Sequence, residues 1–476
     1  MLMRTNSIYF KNTSDKNNYK ARSYTGIYRI HKYWAKKPYN IIKYLIQKYS
    51  NLNDIILDPF CGSGISINEA ILLRRKVIGI DINPVAIFIT KQLIKKISID
   101  KVIQEFKNIE NDLKNKINSF YKIKRDNKEY IGTHFIWSEN GLTEVWYKNP
   151  DTGKKVIDVP SEDDVILANS FEIEKINKFY PKNRLFYNTK INTVPGMRVY
   201  ELYTPRNLAA LVELMDRIEK IENPEIKDFF KFCFTSALGQ CTRMVFVVKK
   251  RGKHKGNERT LVNKQVGSWI IGYWIPKEHF ELNVWNCFQR KFNRIIKAKI
   301  KQYKLNYSLI ETNSFNELLE HKNCMLITGS AQKILLSFPN NSIDYIITDP
   351  PHGKRQPYLE LSLMWNSWLK FDVNYQDELV ISDSKERNKD IKNYYQILEK
   401  IFKEIKRILK PNKFFTLIFN SLNKKDWKML FDCLNKLNFK LIQSDSLNYS
   451  ANSVVQITRK FGLKNDIILT FKNIKS

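Results

Sequence analysis

A strand that ends in a glycine-rich turn constrains the fold of this chain more than any other stretch. The apolar segment 54–58 leads into the turn Pro59–Gly64, and a helical run, Ile65–Leu73, follows the turn. A second apolar segment, Val77–Asp81, comes directly after that run. A strand, a helix and a strand in this order predict a βαβ unit and therefore a chain of the α/β class.

The residues of this turn indicate a ligand-binding site. Gly62 and Gly64 let backbone approach a ligand closely, and the following helix presents unpaired N–H groups to it. Asp81 ends the second strand 17 residues after Gly64, where an acidic side chain can accept hydrogen bonds from ribose hydroxyls. The third glycine of the dinucleotide fingerprint is missing, so the glycine spacing alone is a weak indication.

A second buried strand, far along the chain, ends in an acidic residue and two prolines. The run Ile343–Thr348 is followed by Asp349, Pro350, Pro351 and His352. A shorter strand and turn, 325–330, precede it. We expect the two motifs to fold back onto neighbouring strands of one sheet, so that Gly62 and Asp349 share a cleft.

Both motifs resemble those of a known enzyme family. The segment 58–64, with 79–84 behind it, resembles the S-adenosylmethionine-binding motif of amino-group DNA methyltransferases. The segment 349–352 is similar to the Asp-Pro-Pro-aromatic motif of enzymes that methylate the exocyclic amine of adenine. The resemblance implies a Rossmann-like seven-stranded methyltransferase sheet, interrupted by a large mixed α+β insertion, and S-adenosyl-L-methionine as cofactor.

The resemblance also implies a set of cofactor contacts. The turn would meet the methionine moiety, Asp81 the ribose, and the segment around Lys37 would close over the methionine end. Ser330 stands where the family often has an Asp that contacts the cofactor adenine. The implied cofactor-binding residues are Lys37, Pro38, Asp58, Pro59, Phe60, Gly62, Gly64, Asp81, Ile82 and Ser330.

The implied catalytic residues are Asp349, Pro350, Pro351 and His352. An aromatic amine is a poor nucleophile because its lone pair is delocalised into the ring. The Asp349 carboxylate and the Pro350 carbonyl would accept its two hydrogens and draw the nitrogen toward tetrahedral geometry. The target base would be flipped out and stacked on His352. His352 departs from the family, which usually has Tyr, Phe or Trp there.

The middle of the chain does not continue the strand-helix alternation. We therefore predict a cofactor-binding half at 1–115, an inserted domain at 116–322 and a catalytic half at 323–476. We interpret the insertion as the target-recognition region from its position between the two halves, and its densest basic loop can neutralise phosphates without reading sequence. The candidate nucleic-acid contacts are Lys249, Lys250, Arg251, Lys253 and Lys255 in that loop, and Tyr358 in the base pocket.

Zinc is not expected, and we predict no metal site. Adenine-specific DNA methylases that carry a zinc ribbon resemble this chain over 31–90 and 345–369. Their ribbon would fall near 130–147, where this sequence has no cysteine. The six cysteines of the chain form no C-x-x-C pair.

Composition indicates a polyanionic partner. The formal net charge is +32, spread along the chain, and double-stranded DNA is the first candidate. The amino-terminal sequence has no apolar core of signal-peptide length, and no 18-residue apolar run occurs, so we expect a soluble cytoplasmic protein. A cognate restriction endonuclease is a further candidate partner.

The resulting hypothesis is a site-specific DNA methyltransferase that acts on adenine N6, in a restriction-modification or related defence system. Cytosine N4 is the nearest alternative, although relatives of that type more often carry Ser at the position of Asp349. An RNA base methyltransferase is a second alternative. A nucleic-acid-binding protein with an inactive site, for which His352 would be the sign, is a third.

Overall fold

The structure is a computed structural model that describes residues 21–250, 263–269, 272–421, 423–447 and 466–474. The chain forms two compact units. Unit 1 comprises Met1–Lys95, Lys304–Leu359 and Asp372–Ser476, and unit 2 comprises Lys96–Tyr303 and Glu360–Phe371.

Strands and α-helices are numbered in chain order. The strands are β1 (Ile55–Asp58), β2 (Lys76–Asp81), β3 (Lys122–Arg125), β4 (Lys128–Ser138), β5 (Gly141–Lys148), β6 (Lys155–Asp158), β7 (Val245–Lys250), β8 (Asn263–Trp269), β9 (His279–Leu282), β10 (Cys324–Thr328), β11 (Ile343–Thr348), β12 (Leu409–Phe419), β13 (Phe439–Leu447) and β14 (Asp466–Asn473). The helices are α1 (Tyr39–Tyr49), α2 (Ile65–Leu72), α3 (Pro84–Ile94), α4 (Ile99–Ser119), α5 (Glu162–Asn169), α6 (Pro205–Glu219), α7 (Pro224–Leu238), α8 (Val284–Tyr303), α9 (Phe315–Glu320), α10 (Ala331–Ile334), α11 (Tyr358–Trp368), α12 (Ile391–Ile408) and α13 (Lys424–Lys436).

Unit 1 is built on a seven-stranded sheet. Its strand order is β10-β2-β1-β11-β12-β14-β13, and β14 runs antiparallel to both of its neighbours. The other neighbouring pairs are parallel. The predicted Rossmann-like sheet is therefore confirmed, and both sequence motifs lie on its central strands.

Alternating residues of the sheet point to opposite faces, and each face packs against its own apolar core. Ile55 and Leu57 of β1 face the core that includes Phe402 of α12 and Leu430 of α13. Ile56 faces the opposite core, which includes residues of α1, α2 and α3. A sheet buried on both faces explains why its strands read as nearly continuous apolar runs.

The strand order reverses between β1 and β11. The chain proceeds from β1 to β2 in one direction and from β11 to β12 in the other. In open α/β sheets, ligands bind outside the carboxyl ends of the strands at such a switch point. The glycine-rich turn follows β1 there, and Asp349 follows β11.

Unit 2 contains a second sheet, in which the neighbouring described strands pair antiparallel. The order is β6-β5-β4-β9-β7-β8, and β3 pairs with β4. Thr204 is the N-cap of helix α6, and its hydroxyl oxygen accepts a hydrogen bond from the Asn207 N–H at 3.2 Å. A buried ion pair between Arg206 and Glu281 joins this helix to β9.

The observed units differ from the predicted boundaries. Unit 2 begins at Lys96 rather than at 116 and ends at Tyr303 rather than at 322. It also takes up 360–371, which we placed in the catalytic half. The role of this unit in target recognition stays a prediction. No helix among the described residues is long and apolar enough to cross a bilayer.

Candidate active site

One cavity of unit 1 is lined by residues from both sequence motifs. The predicted residues in its lining are Lys37, Asp58, Phe60, Gly62, Asp81, Ile82, Asp349, Pro351 and Tyr358. Gly62 and Asp349 thus share one cleft, at the carboxyl ends of β1, β2 and β11. Of the other predicted residues of unit 1, Pro38, Pro59, Gly64, Pro350, His352 and Ser330 are not in its lining.

The turn after β1 depends on its two glycines. Gly62 and Gly64 have φ angles of +51° and +76°, in the left-handed region that favours glycine. A Cβ atom on Gly64 would also lie 2.5 Å from Cγ2 of Thr90. The absence of a Cβ at Gly64 therefore allows α2 to begin close to α3. Gly64 has this structural role and does not line the cavity.

Asp58 ties the turn to both motifs. Its Oδ1 accepts hydrogen bonds from the Phe60 N–H at 3.1 Å and from the Thr348 hydroxyl at 2.9 Å, and its Oδ2 accepts one from the Ser66 hydroxyl. Burial raises the pKa of Asp58 to about 6, although these three donors act in the opposite direction. Thr348 is the last residue of β11, so this carboxylate fixes the two motifs side by side.

Asp81 closes the other side of the turn. Its Oδ2 accepts a hydrogen bond from the Gly62 N–H at 2.8 Å, and its Oδ1 accepts one from the Asn83 N–H at 2.8 Å. Burial raises the pKa of Asp81 to about 7. Each oxygen keeps a second lone pair, so the carboxylate can still accept hydrogen bonds from a ligand.

Asp349 forms an ion pair with a lysine through one carboxylate oxygen, and its other oxygen can still accept a hydrogen bond. Its Oδ2 lies 2.9 Å from Nζ of Lys37, which is itself buried. Its Oδ1 is buried and accepts no hydrogen bond from the described residues. Native structures leave few buried acceptors unpaired, so Oδ1 of Asp349 is a candidate acceptor for a hydrogen bond from a ligand.

His352 packs beside Asp349 rather than in the cavity wall. Its Nε2 lies 3.0 Å from Oδ1 of Asp349 and 3.3 Å from the Ile418 carbonyl oxygen, and its ring meets Phe419 edge to face. Only 8% of the His352 side chain is exposed. A flipped base could stack on this ring only after the ring had turned outward.

Two tyrosines form an aromatic wall of the cavity. The rings of Tyr33 and Tyr358 are stacked, with centroids 6.2 Å apart and planes inclined by 16°. The Tyr33 hydroxyl accepts a hydrogen bond from the Asn83 side chain at 3.2 Å. Burial raises the pKa of both phenols, so both remain neutral hydrogen-bonding groups at ordinary pH.

Several residues of the site were missed by the sequence analysis. Tyr33, Thr348 and Glu378 line the cavity, and Asp466 binds Lys37. Thr348 and Tyr33 stand next to recognised motifs, so their positions could have suggested them. Glu378 and Asp466 belong to no recognisable motif.

The remaining predicted cofactor residues have structural positions. Pro38 is the N-cap of α1, directly before its first helical residue, Tyr39. Pro59 lies in the turn after β1. Ser330 follows β10 and is the N-cap of α10, and the N–H of the preceding Gly329 donates to the Asp81 carbonyl oxygen at 2.9 Å. Ser330 is thus tied through its neighbour to the end of β2.

The predicted basic loop is described only in part. Lys249 and Lys250 belong to strand β7 rather than to a loop. In the pairing of β7 with β8, Lys249 lies opposite Lys264 and Lys250 lies opposite Asn263. Nζ of Lys249 lies 2.6 Å from Glu278, so its charge is already compensated. The other candidates, Arg251, Lys253 and Lys255, lie outside the described residues.

The chemistry of the cavity fits S-adenosyl-L-methionine. The Asp81 carboxylate can accept from ribose hydroxyls, and the turn at Gly62 gives backbone access. Tyr33 and Phe60 offer apolar surface beside these polar groups. The described residues contain no group of three or more His, Cys, Asp or Glu side chains suited to a metal ion.

Comparison with known proteins connects both motifs to one family. Residues 4–92 and 343–475 match the profile of a family described as DNA methylase. The type II methyltransferase M.MjaII of Methanocaldococcus jannaschii is 23% identical over 431 residues, which are 85% of this chain and 74% of that protein. The type II methyltransferase M.EcaI of Enterobacter cloacae is 39% identical over 69 residues, 14% of this chain and 15% of that protein.

One solved structure can be aligned with part of this chain. A protein assigned as a DNA modification methylase from Thermus thermophilus, solved in complex with S-adenosyl-L-methionine, is 14% identical with a TM-score of 0.20. The alignment covers 31% of this chain and 54% of that one, so this chain spans about half of that relative. At this score the fold assignment rests on the strand order of unit 1, and the family assignment rests on the sequence matches. The sequence matches and the lining of the cavity together support an S-adenosylmethionine-dependent DNA methyltransferase of the N6/N4 family.

Proposed function

We propose that this chain transfers a methyl group from S-adenosyl-L-methionine to the exocyclic N6 amine of a flipped-out adenine in double-stranded DNA. The observation that carries the proposal is the position of Asp349. This carboxylate lines the same cavity as Asp81 and the glycine turn, and one of its oxygens has no hydrogen bond from the described residues.

The roles of the residues follow from their chemistry. Asp349 accepts one hydrogen of the amine, and the Pro350 carbonyl accepts the other, which frees the nitrogen lone pair for attack. Pro350 has a fixed φ and no N–H, so the chain leaves β11 in a rigid conformation. The Pro351 carbonyl oxygen accepts hydrogen bonds from the Tyr394 hydroxyl at 2.6 Å and from the Gly353 N–H at 3.0 Å, which fixes the motif from the other side.

The cofactor half of the cavity holds the methyl donor. Asp81 would accept from the ribose hydroxyls, and the turn at Phe60–Gly64 would meet the methionine moiety. When bound, S-adenosyl-L-methionine supplies a methyl group activated by a positive sulfonium. Asp58 orients the turn through its hydrogen bonds to Phe60 and Thr348 and so sets the distance between the two half-sites.

An adenine target is favoured over cytosine by the residue at 349. The family covers both amines, and their chemistry is shared. A carboxylate is a stronger acceptor than the serine hydroxyl that N4-specific relatives more often carry. We further propose a restriction-modification setting with a cognate restriction endonuclease as partner, because the curated relatives are named type II methyltransferases.

A single assay tests this proposal. The protein is incubated with labelled S-adenosyl-L-methionine and duplex DNA or RNA, the polymer is digested to nucleosides, and the labelled nucleoside is identified. We expect N6-methyladenine from DNA and no product from Asp349→Ala. Label in N4-methylcytosine, label confined to RNA, or no label from the wild-type protein would contradict the proposal.

Asp344→Ala is the matched control. Asp344 lies in the same strand, β11, at the end away from the cavity, and its Oδ1 lies 2.8 Å from Nζ of Lys410. Its replacement also removes a carboxylate paired with a lysine, so it reports the general cost of such a loss. We expect the control to keep its methylation activity.

A further inference from the structure

Lys37 joins two carboxylates that lie far apart in the sequence. Its Nζ is 2.9 Å from Oδ2 of Asp349 and 2.6 Å from Oδ2 of Asp466. The side chains of Lys37, Asp349 and Asp466 are only 10%, 19% and 6% exposed. Charges in such a setting are screened much less than surface charges, so the division of the lysine charge between two carboxylates affects both of them.

Two more side chains connect the same carboxylates from the other side. Nη1 of Arg355 lies 3.5 Å from Oδ1 of Asp466 and 3.1 Å from Nδ1 of His352. Because arginine can only donate, Nδ1 of His352 accepts and the ring hydrogen sits on Nε2. This hydrogen points to the Ile418 carbonyl oxygen, which leaves Oδ1 of Asp349 close to His352 but without its hydrogen bond.

The sharing of Lys37 matters for the acceptor role of Asp349. A lysine that belonged to Asp349 alone would neutralise its charge and so weaken Oδ1 as an acceptor for a hydrogen of the substrate amine. Asp466 takes a shorter contact with the same ammonium and so draws part of that charge away. Asp349 then keeps a fixed position without losing its capacity to accept the amine hydrogen.

We propose that Asp466 is a positioning residue for methyl transfer, which acts by sharing the Lys37 ammonium with Asp349 and thereby keeps Asp349 a strong acceptor. This inference rests on the proposed function, since it concerns the carboxylate that receives the amine hydrogen. Asp466 itself is not in the lining of the cavity.

A stability cycle tests the shared ion pair without any activity. Lys37→Met removes the cation that contacts both the Asp349 and the Asp466 carboxylate, and we expect its Tm at pH 8 to fall below that of the wild-type protein. Adding Asp466→Asn removes one of the two charges, so the double variant should melt at a higher temperature than Lys37→Met. Arg355 remains near Asp466 and limits the size of the recovery. A double variant that melts lower than Lys37→Met would overturn the proposal.

An activity cycle tests the consequence. Asp466→Asn should lower kcat about tenfold or more and change the KM for DNA by less than about threefold, because only the acceptor strength of Asp349 is altered. Asp466→Glu keeps the charge and should recover most of the lost kcat. In the Lys37→Gln background, Asp466→Asn should change kcat by less than about twofold.

The outcomes separate this inference from the proposed function. A wild-type protein that methylates adenine, combined with an Asp466→Asn variant of normal kcat, would overturn the inference and leave the function standing. An equal effect of Asp466→Asn in the wild-type and Lys37→Gln backgrounds would also overturn it. A wild-type protein without methylation activity would contradict the function, and the stability cycle would still decide whether Lys37 is shared.

Discussion

The carboxylate of Asp81 shows how one residue can couple ligand binding to pH. Burial raises its pKa to about 7, and the N–H groups of Gly62 and Asn83 counteract this by favouring the charged form. The negative charges of Asp58 and Glu378 also act to raise the pKa, and the value of about 7 is the net result of all these influences. Near neutral pH the ligand-free site therefore contains both protonation states of Asp81.

Cofactor affinity should rise as the pH increases through about 7. Ribose hydroxyls donate hydrogen bonds to Asp81 and so favour its ionised form, which means that binding releases a proton when Asp81 starts protonated. Below pH 7 the affinity should fall by up to about tenfold per pH unit, as measured by calorimetric titration of S-adenosyl-L-methionine. In Asp81→Asn the affinity should be lower and its pH dependence flatter. The pH values of about 5.5 and about 8.5 lie about 1.5 units below and above the pKa of Asp81. A wild-type affinity for S-adenosyl-L-methionine that is the same at both would contradict the predicted pH dependence.

His352 provides a second test at the scale of one residue. We expect His352→Tyr to keep or raise the methylation rate and His352→Ala to lower it, because only the tyrosine retains a flat ring for the target base. Single-turnover rates and the fluorescence of 2-aminopurine at the target position would measure chemistry and base flipping separately. An unchanged rate in His352→Ala would remove the stacking role and leave Tyr358, which lies in the cavity lining, as the candidate platform.

At the scale of elements, α8 presents a basic face that the sequence analysis did not single out. Arg294, Lys297 and Lys301 recur at helical spacing and are exposed, while Phe292 and Ile295 on the other face are buried. These three cations form no ion pair with any described residue. In a chain that binds DNA, such a stripe is suited to phosphate contacts.

Replacing Arg294, Lys297 and Lys301 by Ala should weaken DNA binding and reduce its salt dependence. If each cation contacts one phosphate, the slope of log K against log salt concentration should become shallower by about 2 to 3. Fluorescence anisotropy at several salt concentrations would measure it. An unchanged slope would exclude the α8 face from the DNA interface.

The matched control removes the same charge elsewhere. Lys114, Lys220 and Lys403 are each paired with a carboxylate one helical turn away. Their triple replacement by Ala lowers the net charge equally but leaves the α8 face intact. We expect this variant to retain a salt slope close to that of the wild-type protein.

Local sequence patterns predicted the elements that carry the two motifs. The turn between β1 and α2 was evident because glycines and a strand-helix succession leave a clear pattern, and β11 was evident from its apolar run and the two prolines that end it. Strand β8 was missed because it contains few apolar residues, and β9 was missed because it is only four residues long. Helix α4 was also missed, although Phe106, Ile109 and Leu113 recur at helical spacing.

At the scale of the whole molecule, the site depends on contacts that no local pattern can reveal. Lys37 and Asp466 are 429 residues apart in the chain, and their ion pair exists only because β14 returns beside β12. Glu378 reaches the cavity from a segment without regular secondary structure. The sequence therefore predicted the sheet and the Asp58, Asp81 and Asp349 carboxylates, but not the charged groups that surround them.

The hydrogen bond from Thr348 to Asp58 joins residues 290 positions apart and has a consequence for biosynthesis. A ribosome delivers β1 long before β11, and at the usual cellular rate of about 5–20 residues per second the delay is roughly 15–60 s. During this interval one edge of β1 has no partner strand, while residues 96–303 emerge as a nearly continuous unit that can fold first. The nascent protein is thus most prone to aggregate after its cofactor motif has been made and before its catalytic motif has left the ribosome.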